Sequence, residues 1–153
     1  MSGEPGNFSV EVVKHPRFVD MEKCIACGTC AEKCPKKVDD AYNENLIKRK
    51  AVYVQYAQAV PLKYAIDKDN CIFFEKGKCR ACEKFCPTKA INFEEKEQKI
   101  HLNVGAIVLA PGCAPYDPTR YQTYKYAKYP NVVTSMEFER ILSATGPYQG
   151  HLQ

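Results

Sequence analysis

The chain has 153 residues, nine of them cysteine, and its 22 Lys+Arg against 18 Asp+Glu give a formal charge of +4. The odd cysteine count excludes a closed disulfide framework using every sulfur. The mild, dispersed basicity gives no nucleic-acid signature, and the length holds one domain with a modest core and at most a fragment of a second.

Met1-Ser-Gly-Glu-Pro-Gly-Asn7 has neither the basic region nor the apolar run of a secretory signal, so the expected compartment is the reducing cytoplasm. Phe8, Val10 and Val12 alternate with polar residues and predict a half-buried strand. Phe18-Val19-Asp20 predicts a short strand leading into a first cysteine run, Cys24-x2-Cys27-x2-Cys30-x3-Cys34-Pro35. Cys30 and Cys34, spaced i and i+4, predict a helical turn that presents both on one side and is ended by Pro35. Residues 38–63 form an insert carrying the basic triplet Lys48-Arg49-Lys50 and an alternation at Val52, Val54 and Tyr56 that predicts a strand or extended cover over a metal site. The triplet reads as a solvated turn; the sharper alternative is a patch that tunes the site or docks an acidic partner.

Ala65-Ile66-Asp67 repeats the Phe18-Val19-Asp20 pattern before the second run, Cys71-x7-Cys79-x2-Cys82-x3-Cys86-Pro87. Both runs end Cys-Pro-x-Lys, and Ala90 to Phe93 predicts a strand after the second, so the two halves read as a duplication. Ile100 to Val104 alternates and runs on into the apolar Gly105 to Ala110, which predicts one strand over 100–110, buried on both faces as in an α/β sheet. Val104 to Pro111 is also the longest apolar stretch, far below the roughly 18 to 20 residues of a membrane-spanning helix. The ninth cysteine, Cys113, reads as a buried structural thiol. The tyrosines from Tyr116 to Tyr129 read as a packing surface for something outside the chain; base stacking is disfavoured because no basic groove accompanies them. A helix is predicted over 135–144, with Thr134-x-x-Glu137 as its capping box and Gly146-Pro147 as its stop. His15, His101 and His151 show no ligand spacing.

The first run matches, position for position, the spacing that holds [4Fe–4S] clusters, in which the fourth cysteine ligates the cluster of the other run. Three thiolates at two-residue intervals let one tight loop wrap three corners of a cubane, and Ala26, Gly28 and Ala81 permit the close approach. The expected ligand sets are Cys24, Cys27, Cys30 and Cys86 for cluster one, and Cys71, Cys79, Cys82 and Cys34 for cluster two. Zinc is the weaker reading, because zinc knuckles pair two C-x2-C units across a dozen or more residues. A pairing in which each run supplies all four ligands to its own cluster runs against the documented exchange. Each oxidised cluster with four thiolates carries about −2, so the formal +4 reads as compensation for two clusters.

The order Val19-Asp20-x3-Cys24-x2-Cys27-Gly28-x-Cys30, the insert with Lys50-Ala-Val-Tyr-Val54 and Gln58-Ala-Val-Pro61, Gly105-Ala-Ile-Val-Leu-Ala110 and Tyr129-Pro-Asn-Val-Val-Thr-Ser-Met-Glu-Phe-Glu-Arg140 together resemble the heterodisulfide reductase A family of iron–sulfur flavoproteins over nearly the whole chain. The resemblance implies an α+β fold: a two-[4Fe–4S] ferredoxin domain over 16–97, inserted into a FAD-binding domain represented by a flanking strand in 1–15 and a partial segment over 98–153. It also implies that Phe8 to Val13 and Ile100 to Ala110 flank the insertion point and lie close together. No G-x-G-x-x-G follows a strand, and Ala110-Pro111-Gly112 stands where related flavoproteins have Ala-Thr-Gly near FAD. The chain is therefore expected to be a piece of such a flavoprotein, or a short homologue joined to a separate one, and not to bind FAD alone. The implied function is electron relay between flavin and partner iron–sulfur subunits, without a catalytic residue here. The alternatives are a free diffusible ferredoxin and a non-redox metal-scaffolded interaction module.

Overall fold

The computed structural model describes residues 1–152. In chain order its elements are β1 (Ser2–Glu4), β2 (Asn7–Lys14), α1 (Thr29–Glu32), β3 (Lys37–Asp39), β4 (Lys48–Lys50), β5 (Val52–Tyr53), β6 (Ala65–Ile66), α2 (Ile72–Lys76), α3 (Ala81–Lys84), β7 (Gln98–Val104) and α4 (Ser135–Leu142). They fall into two compact units, one formed by 1–16 with 94–116, the other by 17–93 with the segment from Asp117 onward.

The first unit is an antiparallel ribbon in the order β1-β2-β7. Pro5-Gly6 makes the β1–β2 turn, and Gly6 supplies its positive φ of 91°. In the β2–β7 ladder Phe8 stands opposite Val104, Val10 opposite Leu102 and Val12 opposite Ile100. Because alternate residues share a face, these six apolar residues form one continuous stripe, while Ser9, Glu11, Asn103 and His101 occupy the reverse side. Val12, Ile100 and Leu102 are exposed, whereas Phe8, Val10 and Val104 are half-buried, so the stripe is only partly covered. Glu11 pairs with Lys99 at 3.1 Å and lies 3.5 Å from His101 on the polar face.

The ladder corrects the strand predicted over 100–110, which spans Gln98–Val104. Gly6 N–H donates to the Gly105 carbonyl, and there the partner strand turns away into β1. Residues beyond Val104 therefore have no edge to pair with, and Val108 and Leu109 are 90% and 81% exposed. Cys113, expected to be buried behind that strand, is exposed for the same reason.

The second unit holds the cysteine runs. Val19 bridges Ile91, β5 pairs with β6 through Val52↔Ile66, and β3 pairs with β4. The strands expected at 52–56 and 90–93 are thus shortened to Val52–Tyr53 and a single bridge at Ile91. Asp20 N–H donates to Ala90 O at 2.7 Å, and Asp67 N–H donates to Ala51 O at 2.8 Å, so the two halves repeat the same backbone contact. The core comprises Phe18, Val19, Ala51, Val52, Ile66, Ala90, Ile91 and Phe93 with five cysteines. Phe73 and Phe74 close one side, with ring centroids 4.2 Å from Phe93 and 4.5 Å from Phe18 respectively.

The C-terminal helix α4 starts at the predicted capping box and ends two residues early, at Leu142. Of the segment expected over 98–153 to belong to the flavin host, residues 98–116 fall in the first unit, and the part from Asp117 onward packs in this one, beside the 38–63 insert. Its anchor is Arg140, 7% exposed, whose guanidinium donates to Asn43 Oδ1 (3.2 Å) and Thr145 Oγ1 (3.0 Å) and lies 4.6 Å from the Tyr42 ring centre. Asn43 in turn donates to the Asp40 carboxylate at 2.8 Å. Arg140→Leu leaves buried acceptors without their donor, which costs about 1–3 kcal/mol. The expected result, read by thermal unfolding under anaerobic conditions, is a transition lowered by several degrees with the metal content unchanged.

Candidate iron–sulfur sites

Two chambers in the second unit collect eight cysteines. Cys24, Cys27, Cys30 and Cys86 border the first, with Tyr64, Val19 and Ile91 in its walls; it spans about 300 Å³, open solvent included. Cys34, Cys71, Cys79 and Cys82 border the second, about 290 Å³ on the same measure, with Ala51 and Val52 from the insert in its wall. Each run thus contributes three thiols to one chamber and one to the other. Among the described residues no three His, Cys, Asp or Glu side chains converge on a single-ion site. Four thiols around one cavity are the donor set that a [4Fe–4S] cluster takes.

Local structure aims the thiols. Gly28 adopts φ +83° at the start of α1, where a Cβ would come within 3.3 Å of the Tyr64 hydroxyl. α1 ends at Glu32, so Cys30 and Cys34 do not share one helical side as i, i+4 spacing predicts: Cys30 enters the first chamber and Cys34 the second. Asp20 caps the approach to Cys24 by accepting from the Glu22 and Lys23 N–H groups, and Cys24 N–H donates to the Asp20 carbonyl at 3.0 Å.

Electrostatics separates inner from outer thiols. Burial, with the neighbouring thiols adding to it, pushes Cys30 up to about 11 and Cys82 up to about 12. These two resist ionisation until positive charge is brought in, which iron supplies when bound. Exposed Cys27 is shifted below the ordinary thiol value by the Thr29 hydroxyl, 3.5 Å from its Sγ. Burial raises Cys86, but the Ala90 N–H, donating to its Sγ at 3.3 Å, and Thr88 outweigh that and lower it overall. The Cys86 charge bears on Cys27 and Cys30, and Cys82 feels the charges of Cys71 and Cys34 and, from the first chamber, Cys30.

The insert is more than a cover. Lys48 pairs with Asp39 at 2.7 Å, and Arg49 pairs with Asp67 at 2.8 Å while lying 3.8 Å from the Tyr53 ring centre. Lys50 Nζ donates to the Cys34 carbonyl at 2.6 Å, and Lys63 Nζ donates to the Cys24 carbonyl. Of the two, Lys50 belongs to the basic triplet whose alternative reading is a patch that tunes the site, whereas nothing in the sequence singles out Lys63. A further cavity, with Tyr42, Glu44, Gln55 and Arg140 in its lining, holds no cysteine.

The 4Fe-4S binding domain family matches residues 17–38, which span the first run. With the thiol geometry, that match defines an iron–sulfur electron-transfer module of the ferredoxin type. The chain is 44% identical over 151 residues to the A-type iron–sulfur subunit of the CoB--CoM heterodisulfide reductase of Methanocaldococcus jannaschii, covering 99% of this chain and 22% of that protein. It is 39% identical over 150 residues to the A-type subunit of the H(2):CoB-CoM heterodisulfide,ferredoxin reductase of Methanothermobacter marburgensis, covering 98% and 22%. It is 40% identical over 152 residues to the A-type subunit of the Ferredoxin:CoB-CoM heterodisulfide reductase of Methanosarcina acetivorans, covering 99% and 19%. Along essentially its whole length the chain is homologous to one segment of these heterodisulfide reductase A proteins, and it spans about a fifth of the length of these curated relatives.

Proposed function

We propose that the chain holds two [4Fe–4S] clusters, one on Cys24, Cys27, Cys30 and Cys86 and the other on Cys71, Cys79, Cys82 and Cys34, and relays electrons within a heterodisulfide-reductase-A-like flavoprotein complex. The observation that carries this reading is the sorting of eight thiols into two sets of four, each mixing both runs. Bound there, a cluster takes up and releases one electron at a time. The chain's own residues hold the thiolates in place, donate N–H bonds to sulfur as Ala90 does to Cys86, and wall the chambers with Val19, Ile91, Ala51 and Val52. Such bonds and walls set a cluster's potential.

The repeated Asp20–Ala90 and Asp67–Ala51 contacts support a pseudo-two-fold ferredoxin domain over 16–97. The partly exposed stripe of the β2–β7 ribbon, open at Val12, Ile100 and Leu102, supports a host: a diffusible ferredoxin gains nothing from exposed apolar residues there, whereas the flavin-binding remainder of a larger protein, or a separate flavoprotein, would bury them. Electrons then pass between that flavin and partner iron–sulfur subunits. No helix among the described residues is long and apolar enough to cross a membrane, and a cytoplasmic location fits reduced thiols.

Anaerobic iron and sulfide analysis with EPR of the reduced protein tests this. The expected result is about eight irons per chain and two reducible centres. About two zincs with no iron would sink it, and iron in centres that cannot be reduced would leave an interaction module instead.

A further inference from the structure

The two lysines that reach the ligand loops stand apart from the other basic residues of the insert. Lys48 and Arg49 are neutralised by Asp39 and Asp67. Among the described residues, neither Lys50 nor Lys63 has an ion-pair partner; both are half-buried, and each points its ammonium at the backbone carbonyl of a cysteine, Cys34 for Lys50 and Cys24 for Lys63. Cys34 borders the second chamber and Cys24 the first, so each chamber receives one lysine.

A half-buried ammonium with only a neutral carbonyl as its partner is an unfavourable arrangement, because a desolvated charge needs an opposite charge nearby. Four thiolates around an oxidised cluster supply about −2 in net charge, and one added electron makes it about −3. A fixed positive charge at the ligand loop attracts the reduced state more strongly than the oxidised one. We infer that Lys50 and Lys63 are potential-setting residues: Lys50 raises the reduction potential of the cluster on the Cys34 side, and Lys63 that of the cluster on the Cys24 side. Residues 38–63 then act as a strap that delivers one charge to each cluster of the relay. This inference rests on the two-cluster reading above.

The test is an EPR-monitored redox titration of the anaerobically prepared, iron-loaded protein and of its Lys50→Gln and Lys63→Gln variants, with iron counted in each. Glutamine keeps an N–H donor for the carbonyl and removes the charge. Lys50→Gln is expected to weaken reduction of one cluster by about tenfold, which is 59 mV for a one-electron couple, leaving the other unmoved. Lys63→Gln is expected to shift the other cluster by a similar factor. Midpoints that stay put in both variants, or that move together by the same amount, would overturn the inference. Where a glutamine variant fails to load iron, the arginine variant decides: a native midpoint in Lys50→Arg or Lys63→Arg supports the charge, and a fall like that expected of charge removal overturns it. Absence of iron from the parent protein would refute the two-cluster reading instead.

Discussion

Cys86→Ala is expected to cost the cluster held by Cys24, Cys27 and Cys30 and to leave the one held by Cys71, Cys79, Cys82 and Cys34 in place, so that iron falls from about eight to about four per chain. The ground is spatial. Cys86 borders the first chamber although it ends the second run, and its charge reaches the Cys27 and Cys30 thiols. A cubane with three thiolates and one open corner is exposed to water and oxidants, and it loses iron. The mirror variant, Cys34→Ala, is expected to cost the second cluster for the same reason. Double variants make the assignment decisive, since residues that serve one unit are non-additive and residues that serve different units add. Cys24→Ala combined with Cys86→Ala should lose no more iron than either alone, whereas Cys34→Ala combined with Cys86→Ala should lose nearly all. If Cys71→Ala and Cys86→Ala prove redundant with each other, each run serves its own cluster and the exchange is wrong.

The cysteine runs were legible because ligand spacing is a local code: three thiols two residues apart fit one loop, and the fourth lies outside that loop, after a further turn and directly before a proline. The capping box of α4 was readable for the same local reason. What escaped depended on partners distant in the sequence. Gly105 to Ala110 has the pattern of a buried strand, but β2 turns away at Gly6, and periodicity carries no information about where a neighbour ends. The buried anchor of α4 is not one of its apolar residues but Arg140, paired with Asn43 from 97 positions earlier. The Lys48-Arg49-Lys50 triplet reads first as a solvated turn, with tuning of the site or docking of an acidic partner as the alternative; Lys48 is solvent-exposed, and the three consecutive strand residues face three different partners, two carboxylates and one carbonyl.

Removing iron is expected to unfold the second unit. Its core has thirteen buried apolar residues, five of them the cysteines Cys24, Cys30, Cys34, Cys71 and Cys82 and two of them alanines, Ala51 and Ala90. The remainder, Phe18, Val19, Val52, Ile66, Ile91 and Phe93, is a small hydrophobic complement for a segment running from Arg17 to Phe93. Helices of four, five and four residues have no stability of their own, and a two-residue strand pair or a single bridge adds little. Metal–thiolate bonding is then the principal folding energy: structural metal sites contribute on the order of 10 kcal/mol, comparable to the entire stability of a typical domain. Acid assists the loss, because the ligands must be ionised to hold iron and the buried Cys30 and Cys82 thiols favour protonation, at about 11 and about 12, once the metal leaves. At equal conditional iron affinity of the chelator, iron loss should therefore go further at pH 6 than at pH 8. Hydrogen exchange measured before and after anaerobic chelation reads the outcome: protection at the amides of Asp20, Ile66 and Asp67, all bonded across the core, should collapse together with the cluster absorbance. An iron-free protein that kept that protection and melted cooperatively within a few degrees of the loaded form would show that the apolar residues alone hold the fold.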